Sequence, residues 1–208
     1  MVERQLRARG IRDERLLAAF EVVPREQFIE PELAPDAYSD GPLPIGCGQT
    51  ISQPYIVALM IEAAGVAPSD TVLEVGAGSG YAAAILARLA GSVIAVERVP
   101  ELAAAARGRL VRLGFDNVRV VEGDGTLGWI EEAPYDAILA AASGRDVPQS
   151  LIAQLAPGGR LVMPVGARGS GQQLIKLTKA TNGSITQEWL CAVRFVPLIG
   201  AEGWSDAD

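Results

Sequence analysis

Three glycines in the stretch VLEVGAGSGY have the spacing of a ligand-binding turn. Gly76, Gly78 and Gly80 follow a short apolar run that predicts a strand and precede an alanine-rich run that predicts a helix. Ligands of open α/β sheets bind at the carboxyl ends of the strands, and glycine lets the backbone adopt positive φ and approach a ligand closely. A purely structural turn needs only one or two glycines, so the pattern favours a nucleotide-like ligand. Tyr81 occupies the third glycine position of G-x-G-x-x-G, which disfavours NAD.

Two acidic residues end or follow the next two predicted strands. Glu97 ends the second strand, where a carboxylate can accept hydrogen bonds from both hydroxyls of a ribose. Asp124, followed by Gly125 in EGDG, comes just after the third strand and could accept from the amino group of an adenine. Each acid has a plain alternative, a surface charge for Glu97 and a common turn dipeptide for Asp124. Because the three features lie at the ends of three successive strands, we interpret them as one cofactor site.

A hydroxyl pair, Thr50 and Ser52, precedes an apolar run with helical spacing. That spacing is carried by Ile56, Val57, Met60, Ile61 and Ala64. A helix is therefore predicted to begin near Gln53 or Pro54, with Ser52 as its N-cap. The local pattern leaves open whether Ser52 is only a cap or also a working group.

The composition excludes several kinds of chemistry. The 208-residue chain has no histidine, so a Ser-His-Asp triad is impossible and the commonest metal ligand is missing. No Asp, Glu or Cys cluster has ligand-like spacing, so we expect no metal. The net charge is −7 with the basic residues spread along the chain, which argues against nucleic acid as a partner. No apolar run is long enough to cross a membrane.

The N-terminal stretch is charged and lacks the apolar run of a secretory signal. Cys47 and Cys191 match neither a zinc spacing nor a CxxC motif. We therefore expect a cytoplasmic protein with reduced thiols, and we expect a monomer.

From Thr71 onward, β-branched runs alternate with runs rich in alanine and leucine, which predicts a Rossmann-like, doubly wound α/β sheet. The predicted strands are 71–75, 92–97, 118–123, 135–140 and 159–165. The predicted helices between them are 80–90, 99–113 and 147–156. Two more runs, 172–180 and 187–198, flank Asn182-Gly183 and predict an antiparallel hairpin. The expected fold is a seven-stranded mixed sheet, mostly parallel, with an antiparallel C-terminal hairpin.

The chain before the sheet is predicted to form an N-terminal helical extension. Asp13 can cap a helix that Pro24 ends, and the Pro- and Gly-rich linker 31–48 should lie over the sheet. We expect one domain with three parts. These are a helical segment with the hydroxyl pair (1–66), a cofactor-binding core (67–166), and the C-terminal strands and tail (167–208).

The three strand-end features resemble those of class I methyltransferases that use S-adenosyl-L-methionine. In that family a glycine turn follows the first strand, an acid ending the second binds the ribose, and an acid after the third lies near the adenine. The matching positions here are Glu74, Gly76, Gly78, Glu97 and Asp124.

A more specific resemblance covers nearly the whole chain. The stretches VPREQF, AYSDGPLPIGCGQTISQPYIVALM, EGDGTLGW and FVPLIGAEGW are similar to the protein-L-isoaspartate (D-aspartate) O-methyltransferase family. The resemblance implies S-adenosyl-L-methionine as cofactor and methyl transfer to the free carboxylate of L-isoaspartyl or D-aspartyl residues in damaged proteins. It implies that the partners are isoaspartyl peptides and unfolded proteins.

The same resemblance assigns roles within the site. Ser52 is implied as the catalytic residue, an orienter of the substrate carboxylate rather than a nucleophile. Thr50 and Ile51 are implied to line the cofactor cleft, and Val196, Pro197 and Leu198 to hold the substrate peptide. Such a transfer needs no base, because a carboxylate acceptor is already ionised at neutral pH.

Three alternatives stay open at this point. A methyltransferase could act instead on an aspartate of a biosynthetic peptide or on a small carboxylic acid. A sensing or scaffold protein could bind the cofactor without turnover, and an NAD-linked oxidoreductase is a third alternative.

Overall fold

A seven-stranded mixed sheet forms the centre of the computed structural model, which describes residues 1–168 and 171–205. In chain order the helices and strands are α1 (Glu14–Val22), β1 (Leu43–Gly46), β2 (Gln49–Ile51), α2 (Pro54–Ala64), β3 (Thr71–Val75), α3 (Tyr81–Ala87), β4 (Ser92–Glu97), α4 (Pro100–Arg112), β5 (Val118–Glu122), β6 (Tyr135–Ala140), α5 (Gln149–Ala153), β7 (Leu155–Val165), β8 (Gln172–Lys179) and β9 (Ile185–Val193).

The order of the strands in the sheet is β5-β4-β3-β6-β7-β8-β9. The strands from β5 to β7 pair in parallel, and β8 pairs antiparallel with both of its neighbours. The expected α/β fold, mostly parallel with an antiparallel C-terminal hairpin, is confirmed. The chain leaves β3 toward β4 on one side and returns to β6 on the other, so the strand order reverses beside β3. Ligands of open α/β sheets bind at such a reversal.

Apolar side chains alternate along the parallel strands and form a core on each face of the sheet. Val72 and Val93 belong to the core that α1 to α4 cover, whereas Leu73 and Ile94 belong to the core on the opposite face. Successive residues of a strand point to opposite faces. The continuous apolar runs that predicted these strands therefore reflect a sheet buried on both sides.

The N-terminal helical extension is also confirmed. The Asp13 carboxylate caps α1, because its Oδ1 accepts from the backbone N–H groups of Arg15 at 2.9 Å and Leu16 at 3.3 Å. The helix ends at Val22, two residues before Pro24. Its buried face joins the core that also contains α2 and α3.

A short hairpin of β1 and β2 lies inside the linker, where the sequence pattern predicts no strand. Gly46, Cys47 and Gly48 have φ values of 86°, 50° and 70°, which turn the chain sharply between the two strands. A Cβ on Gly78 would lie 3.2 Å from the Ile45 side chain. The hairpin therefore crosses over the glycine turn at the carboxyl end of β3.

The prediction that Ser52 caps α2 is wrong. The N-cap is Gln53, which makes no side-chain capping hydrogen bond, and Pro54 is the first helical residue. A proline holds the residue before it out of the helical region, so the helix begins beyond Gln53 rather than at Ser52. Ser52 instead belongs to the extended segment between β2 and α2.

The bounds of three further elements differ from the sequence prediction. The helix predicted over 147–156 is limited to α5, because Leu155 already pairs with Tyr135 at the start of β7. Because of this pair, β7 begins at Leu155 rather than at the predicted 159. The pairing register of β6 with β7 then shifts between Tyr135 and Ala137. At the other end of the sheet β9 stops at Val193, and residues 194–198 leave the sheet.

No helix within the described ranges is both long enough and apolar enough to cross a membrane. The end of the predicted tail, 206–208, lies outside the described residues.

Candidate active site

The glycine turn after β3 closes against the end of β4. The backbone N–H groups of Gly76 and Ala77 both donate to the Val96 carbonyl, at 2.8 and 3.1 Å. Gly76 and Gly78 have φ values of 86° and 53°, a region that side chains disfavour. Gly76 and Gly78 also line the cavities at this end of the sheet, in keeping with the role expected of them.

The surroundings of Gly80 differ from those of Gly76 and Gly78. A Cβ at this position would lie 3.2 Å from Leu110 and 3.4 Å from Ala106, both on α4. Gly80 is buried and does not line the cavities described below. Its lack of a side chain therefore allows α3 to pack closely on α4.

Glu97 ends β4 with its carboxylate directed at the glycine turn. Oε2 accepts from the Gly78 N–H at 2.8 Å, and Oε1 accepts from the Val99 N–H at 3.0 Å. Each carboxylate oxygen can accept a second hydrogen bond. Glu97 is therefore fixed in position and retains acceptor capacity on both oxygens.

Glu74 is a buried acid whose carboxyl lacks a full set of partners. The residue is 2% exposed, and its Oε2 has no hydrogen-bond partner among the described residues. Burial raises the pKa of this carboxyl well above its usual value, and the negative charge of Glu97 raises it further. A buried carboxyl without a partner is costly, so Glu74 is a ready acceptor for a cationic group.

Asp124 is engaged with the C-terminal segment of the chain. Its Oδ1 accepts from the backbone N–H of Thr126 at 2.9 Å and from the Thr126 hydroxyl at 2.7 Å. Its Oδ2 accepts from the Ala201 N–H at 2.7 Å. Asp124 does not line the cavities described below, whereas the adjacent Gly125 does. The structure thus shows Asp124 as an anchor for the segment around Ala201.

Three adjoining cavities share Thr50 and Ala141 in their walls. The Glu74 cavity has a volume of about 550 Å³, and Ile51, Ser52, Met60 and Gly76 also line it. The Glu97 cavity, about 670 Å³, includes Gly78, Val99 and Gly125. The outer cleft, about 1650 Å³, is lined by Ser52, Ile56, Arg168, Arg194 and Phe195 among others. In residues 1–168 and 171–205 no three His, Cys, Asp or Glu side chains are placed to hold a metal.

Ser52 lies where the Glu74 cavity and the outer cleft adjoin, because it lines both. Its backbone carbonyl accepts a hydrogen bond from Arg25 at 2.9 Å. Its hydroxyl has no hydrogen bond within the described residues, so the group is free to bind a ligand. Thr50 and Ile51 lie on the same segment and contribute to the Glu74 cavity.

The segment after β9 forms the opposite wall of the outer cleft. Val196 and Pro197 line both that cleft and the Glu97 cavity, whereas Leu198 lines only the Glu97 cavity. The segment is tied to the loop after β6. The Ser143 N–H donates to the Val196 carbonyl at 2.8 Å, and the Leu198 N–H donates to the Ser143 carbonyl at 2.9 Å.

Several residues of the site were missed by sequence reasoning. Ala141, directly after β6, lines all three cavities. Its position at the end of a predicted strand could have identified it as a site residue. Gln49 and Arg98 flank predicted site residues and line the Glu97 cavity. Arg25 donates a hydrogen bond to the Ser52 backbone carbonyl. It belongs to the VPREQF stretch that carries part of the family resemblance, but sequence reasoning assigned it no role.

Comparison with known proteins gives a consistent result over almost the full length of the chain. The family profile "Protein-L-isoaspartate(D-aspartate) O-methyltransferase (PCMT)" matches residues 1–203. A protein-L-isoaspartate O-methyltransferase 2 of Pelobacter propionicus is 56% identical over 204 residues, 98% of this chain and 91% of the relative. A protein-L-isoaspartate O-methyltransferase 1 of Rhodopseudomonas palustris is 57% identical over 205 residues, 99% of this chain and 84% of the relative.

Solved structures show the same relationship. A protein-L-isoaspartate O-methyltransferase structure superimposes with a TM-score of 0.87 at 30% identity, covering 98% of this chain and 67% of the other. A Plasmodium falciparum structure described by the same family name, in complex with S-adenosyl-L-homocysteine, superimposes with a TM-score of 0.81. It is 28% identical, over 95% of this chain and 96% of that one. The fold, the site and the whole-chain match agree: this chain belongs to the protein-L-isoaspartate(D-aspartate) O-methyltransferase family.

Proposed function

We propose that the protein transfers a methyl group from S-adenosyl-L-methionine to the free carboxylate of L-isoaspartyl residues in damaged proteins and peptides. D-Aspartyl residues are the second acceptor. The observation that carries the proposal is the position of Ser52, whose unpaired hydroxyl lies where the Glu74 cavity adjoins the larger outer cleft. A cofactor on one side and a peptide on the other would meet at this hydroxyl.

The residues of the Glu74 and Glu97 cavities fit the proposed cofactor. Glu74 offers a buried oxygen without a partner, which suits the ammonium group of the methionine part. Glu97 is held by two backbone N–H groups and has acceptor capacity left for ribose hydroxyls. Gly76 and Gly78 allow the backbone to approach the ligand, and Thr50, Ile51 and Gly125 complete the walls. When bound, S-adenosyl-L-methionine supplies a methyl group on a positively charged sulfur, already activated for displacement.

The chain's own residues then have to orient the acceptor and exclude water. The Ser52 hydroxyl donates to the substrate carboxylate and aims one of its oxygens at the methyl group. Val196 and Pro197 close the opposite wall of the outer cleft. Orientation of this kind can contribute about 7–11 kcal/mol, and no general base is required because the acceptor carboxylate is already ionised at neutral pH. A chain without histidine is adequate for this reaction.

Repair follows from the chemistry of the ester. Methylation converts the carboxylate into a methyl ester, which has a better leaving group. The neighbouring backbone amide nitrogen attacks the ester carbonyl, methanol leaves, and a succinimide forms. Hydrolysis of the succinimide returns part of the material to normal aspartate without further action of the enzyme.

We propose a single methyltransferase domain with the division 1–66, 67–166 and 167–208, acting as a monomer in the cytoplasm. Cys47 and Cys191 are free thiols in the structure, which suits a reducing compartment. The net charge of −7 supports peptides and unfolded proteins, rather than nucleic acid, as partners. The size of the outer cleft, about 1650 Å³, favours a peptide over a small carboxylic acid.

The experiment is methylation with labelled S-adenosyl-L-methionine of two peptides that differ only in Asp versus isoAsp at one position. We expect labelling of the isoAsp peptide alone. Equal labelling of both peptides would favour a methyltransferase for ordinary aspartate, and labelling of neither would refute the proposed function. Competition between NAD and S-adenosyl-L-homocysteine in a binding titration tests the oxidoreductase alternative.

A further inference from the structure

Arg25 is a fully buried guanidinium with no acidic partner. The residue is 0% exposed. Its Nε donates to the Ala37 carbonyl at 2.8 Å, and its Nη2 donates to the Ser52 carbonyl at 2.9 Å. Its Nη1 has no hydrogen-bond partner among the described residues, and Arg25 takes part in none of the ion pairs found within them.

A buried charge without a counterion is expensive and normally is paired. Burial lowers the pKa of the Arg25 guanidinium, but a guanidinium stays protonated in proteins. The positive charge is therefore retained in a poorly solvated place. Part of the cost is offset by Tyr81, whose ring centroid lies 4.9 Å from the Arg25 Cζ and whose hydroxyl also favours the charged guanidinium.

The guanidinium touches the residue that carries the free hydroxyl of the site. By binding the carbonyls of both Ala37 and Ser52, it ties the linker to the segment before α2. Tyr81, which covers the other side of Arg25, lines the Glu74 cavity together with Ser52. The charge thus lies directly behind the point where the cavity and the outer cleft adjoin.

Two arginines line the outer cleft itself, and their situation differs from that of Arg25. Arg168 and Arg194 are exposed, so solvent and salt screen their charges. Arg25 acts from the interior, where the effective dielectric constant is lower and the same charge has a stronger effect. A carboxylate that enters the site beside Ser52 would meet this charge after losing much of its own hydration.

We propose that Arg25 is a positioning residue that fixes the backbone of Ser52 and supplies the positive charge that selects an ionised carboxylate at that hydroxyl. Arg25 lines none of the three cavities, so it acts on the substrate's anion through its electric field and through the Ser52 backbone, without direct contact. This inference rests on the proposed function, because it requires a carboxylate as the methyl acceptor. It adds to that function a positive charge by which the site distinguishes a carboxylate from a neutral amide of the same shape.

The test compares two peptide ligands on the enzyme loaded with S-adenosyl-L-homocysteine. One peptide contains isoaspartate, and the other contains its carboxamide counterpart, isoasparagine, in the same sequence. The measured quantity is the ratio of their dissociation constants, because a general loss of structure weakens both and leaves the ratio unchanged. We expect the wild type to prefer the acid by about tenfold or more, the effect of roughly one charge-assisted hydrogen bond.

The variants are Arg25→Met, Arg25→Lys and a control, Arg160→Met. In Arg25→Met the preference should fall below about threefold, whereas Arg25→Lys should keep most of it because the charge remains. Arg25→Lys should still lower kcat, since a single ammonium nitrogen does not reproduce the positions of the separate Nε and Nη2 donors that hold the Ala37 and Ser52 carbonyls. Arg160 donates to the Ala64 and Gly65 carbonyls at the far end of α2, so its loss should lower stability without changing the ratio. An unchanged ratio in Arg25→Met overturns the inference.

A measurement on the wild type keeps the inference testable if Arg25→Met does not fold. The preference for the acid should persist as salt is raised from about 50 to 500 mM, because a buried charge is weakly screened. A preference that disappears at high salt assigns the selection to exposed Arg168 and Arg194 and overturns the role of Arg25. The proposed function is tested by a different result: it is refuted if the wild type does not methylate the isoAsp peptide at all.

Discussion

At the scale of single residues, the site is marked by polar groups that the protein leaves without partners. The Ser52 hydroxyl, Glu74 Oε2 and Arg25 Nη1 lack hydrogen-bond partners among the described residues, whereas Glu97 is held by two N–H groups. Folded proteins satisfy nearly all buried polar groups. Of these groups, Glu74 Oε2 is both buried and in the wall of a cavity, and it therefore indicates a positively charged ligand atom there.

Ser52→Ala should separate binding of the cofactor from turnover. We expect the dissociation constant of S-adenosyl-L-homocysteine to change by less than about threefold, because Ser52 donates to the substrate instead. The value of kcat/KM for an isoAsp peptide should fall about 10- to 100-fold, the loss of one hydrogen bond to a charged group. Calorimetric titration and steady-state kinetics measure the two effects.

The control is Ser69→Ala, the same change in the exposed loop before β3. It should leave both quantities at the wild-type value. Full activity in Ser52→Ala would refute the orienting role of the hydroxyl. Weak binding of S-adenosyl-L-homocysteine in that variant would instead place Ser52 among the cofactor contacts.

At the scale of elements, the carboxyl end of the sheet is closed by a strap formed by residues 196–204. Val196 and Leu198 are tied to Ser143, and the Ala201 N–H is bound by the Asp124 carboxylate. The Glu202 carboxylate accepts from the N–H and hydroxyl of Ser150, at 2.9 and 2.6 Å. These hydrogen bonds lower the pKa of Glu202. The strap thereby connects Asp124, in the loop after β5, to Val196 and Pro197 in the walls of the Glu97 cavity and the outer cleft.

Asp124→Asn should loosen the strap. An amide keeps the shape of the side chain but provides one acceptor oxygen for three donors, so the hydrogen bond to Ala201 or to Thr126 is lost. We expect faster amide hydrogen exchange over 199–204 and about tenfold weaker binding of S-adenosyl-L-homocysteine, equivalent to about 1.4 kcal/mol. Exchange mass spectrometry and calorimetry measure the two quantities.

Asp136→Asn is the matched control, since Asp136 Oδ2 accepts a backbone N–H from Thr71 at 2.9 Å at the opposite end of the sheet. It should not affect exchange over 199–204. Weaker ligand binding in Asp124→Asn with no change in exchange would mean that Asp124 acts on the adenine directly, as the sequence pattern alone suggested.

The elements also show which parts of the fold were predictable. The strands β3, β4 and β6 follow from local runs of β-branched and apolar residues, because each is buried on both faces. The hairpin of β1 and β2 depends on three positive φ values in a Pro- and Gly-rich linker, which composition does not reveal. The start of β7 at Leu155 depends on its pairing with Tyr135, and pairing between distant segments is invisible in a local pattern.

At the scale of the whole molecule, the site is assembled from segments far apart in the sequence. The glycine turn and Glu97 could be predicted because they follow successive strands whose ends meet at one edge of the sheet. The burial of Arg25 could not be predicted, because an arginine is usually exposed and only the packing of Tyr81 and the linker encloses it. The tie between Asp124 and Ala201 likewise requires the complete fold.

The buried Glu74 carboxyl should make the stability of the ligand-free protein depend on pH. Its native pKa is raised above the ordinary value of 4.5, so below that pH the group is protonated in both the folded and the unfolded states. As the pH rises, the unfolded state releases the proton first, and the free energy of unfolding falls until the native pKa is passed. The slope from this group is at most about 1.4 kcal/mol per pH unit.

Glu74→Gln removes this titration and keeps the size of the side chain. We therefore expect the melting temperatures of the two ligand-free proteins to diverge as the pH rises above about 5, with Glu74→Gln becoming the more stable. S-Adenosyl-L-homocysteine carries an ammonium group that can pair with ionised Glu74, so it should stabilise the wild type more than the variant. All other titrating groups are common to both proteins, and parallel melting curves across this pH range would therefore show that Glu74 is not held protonated.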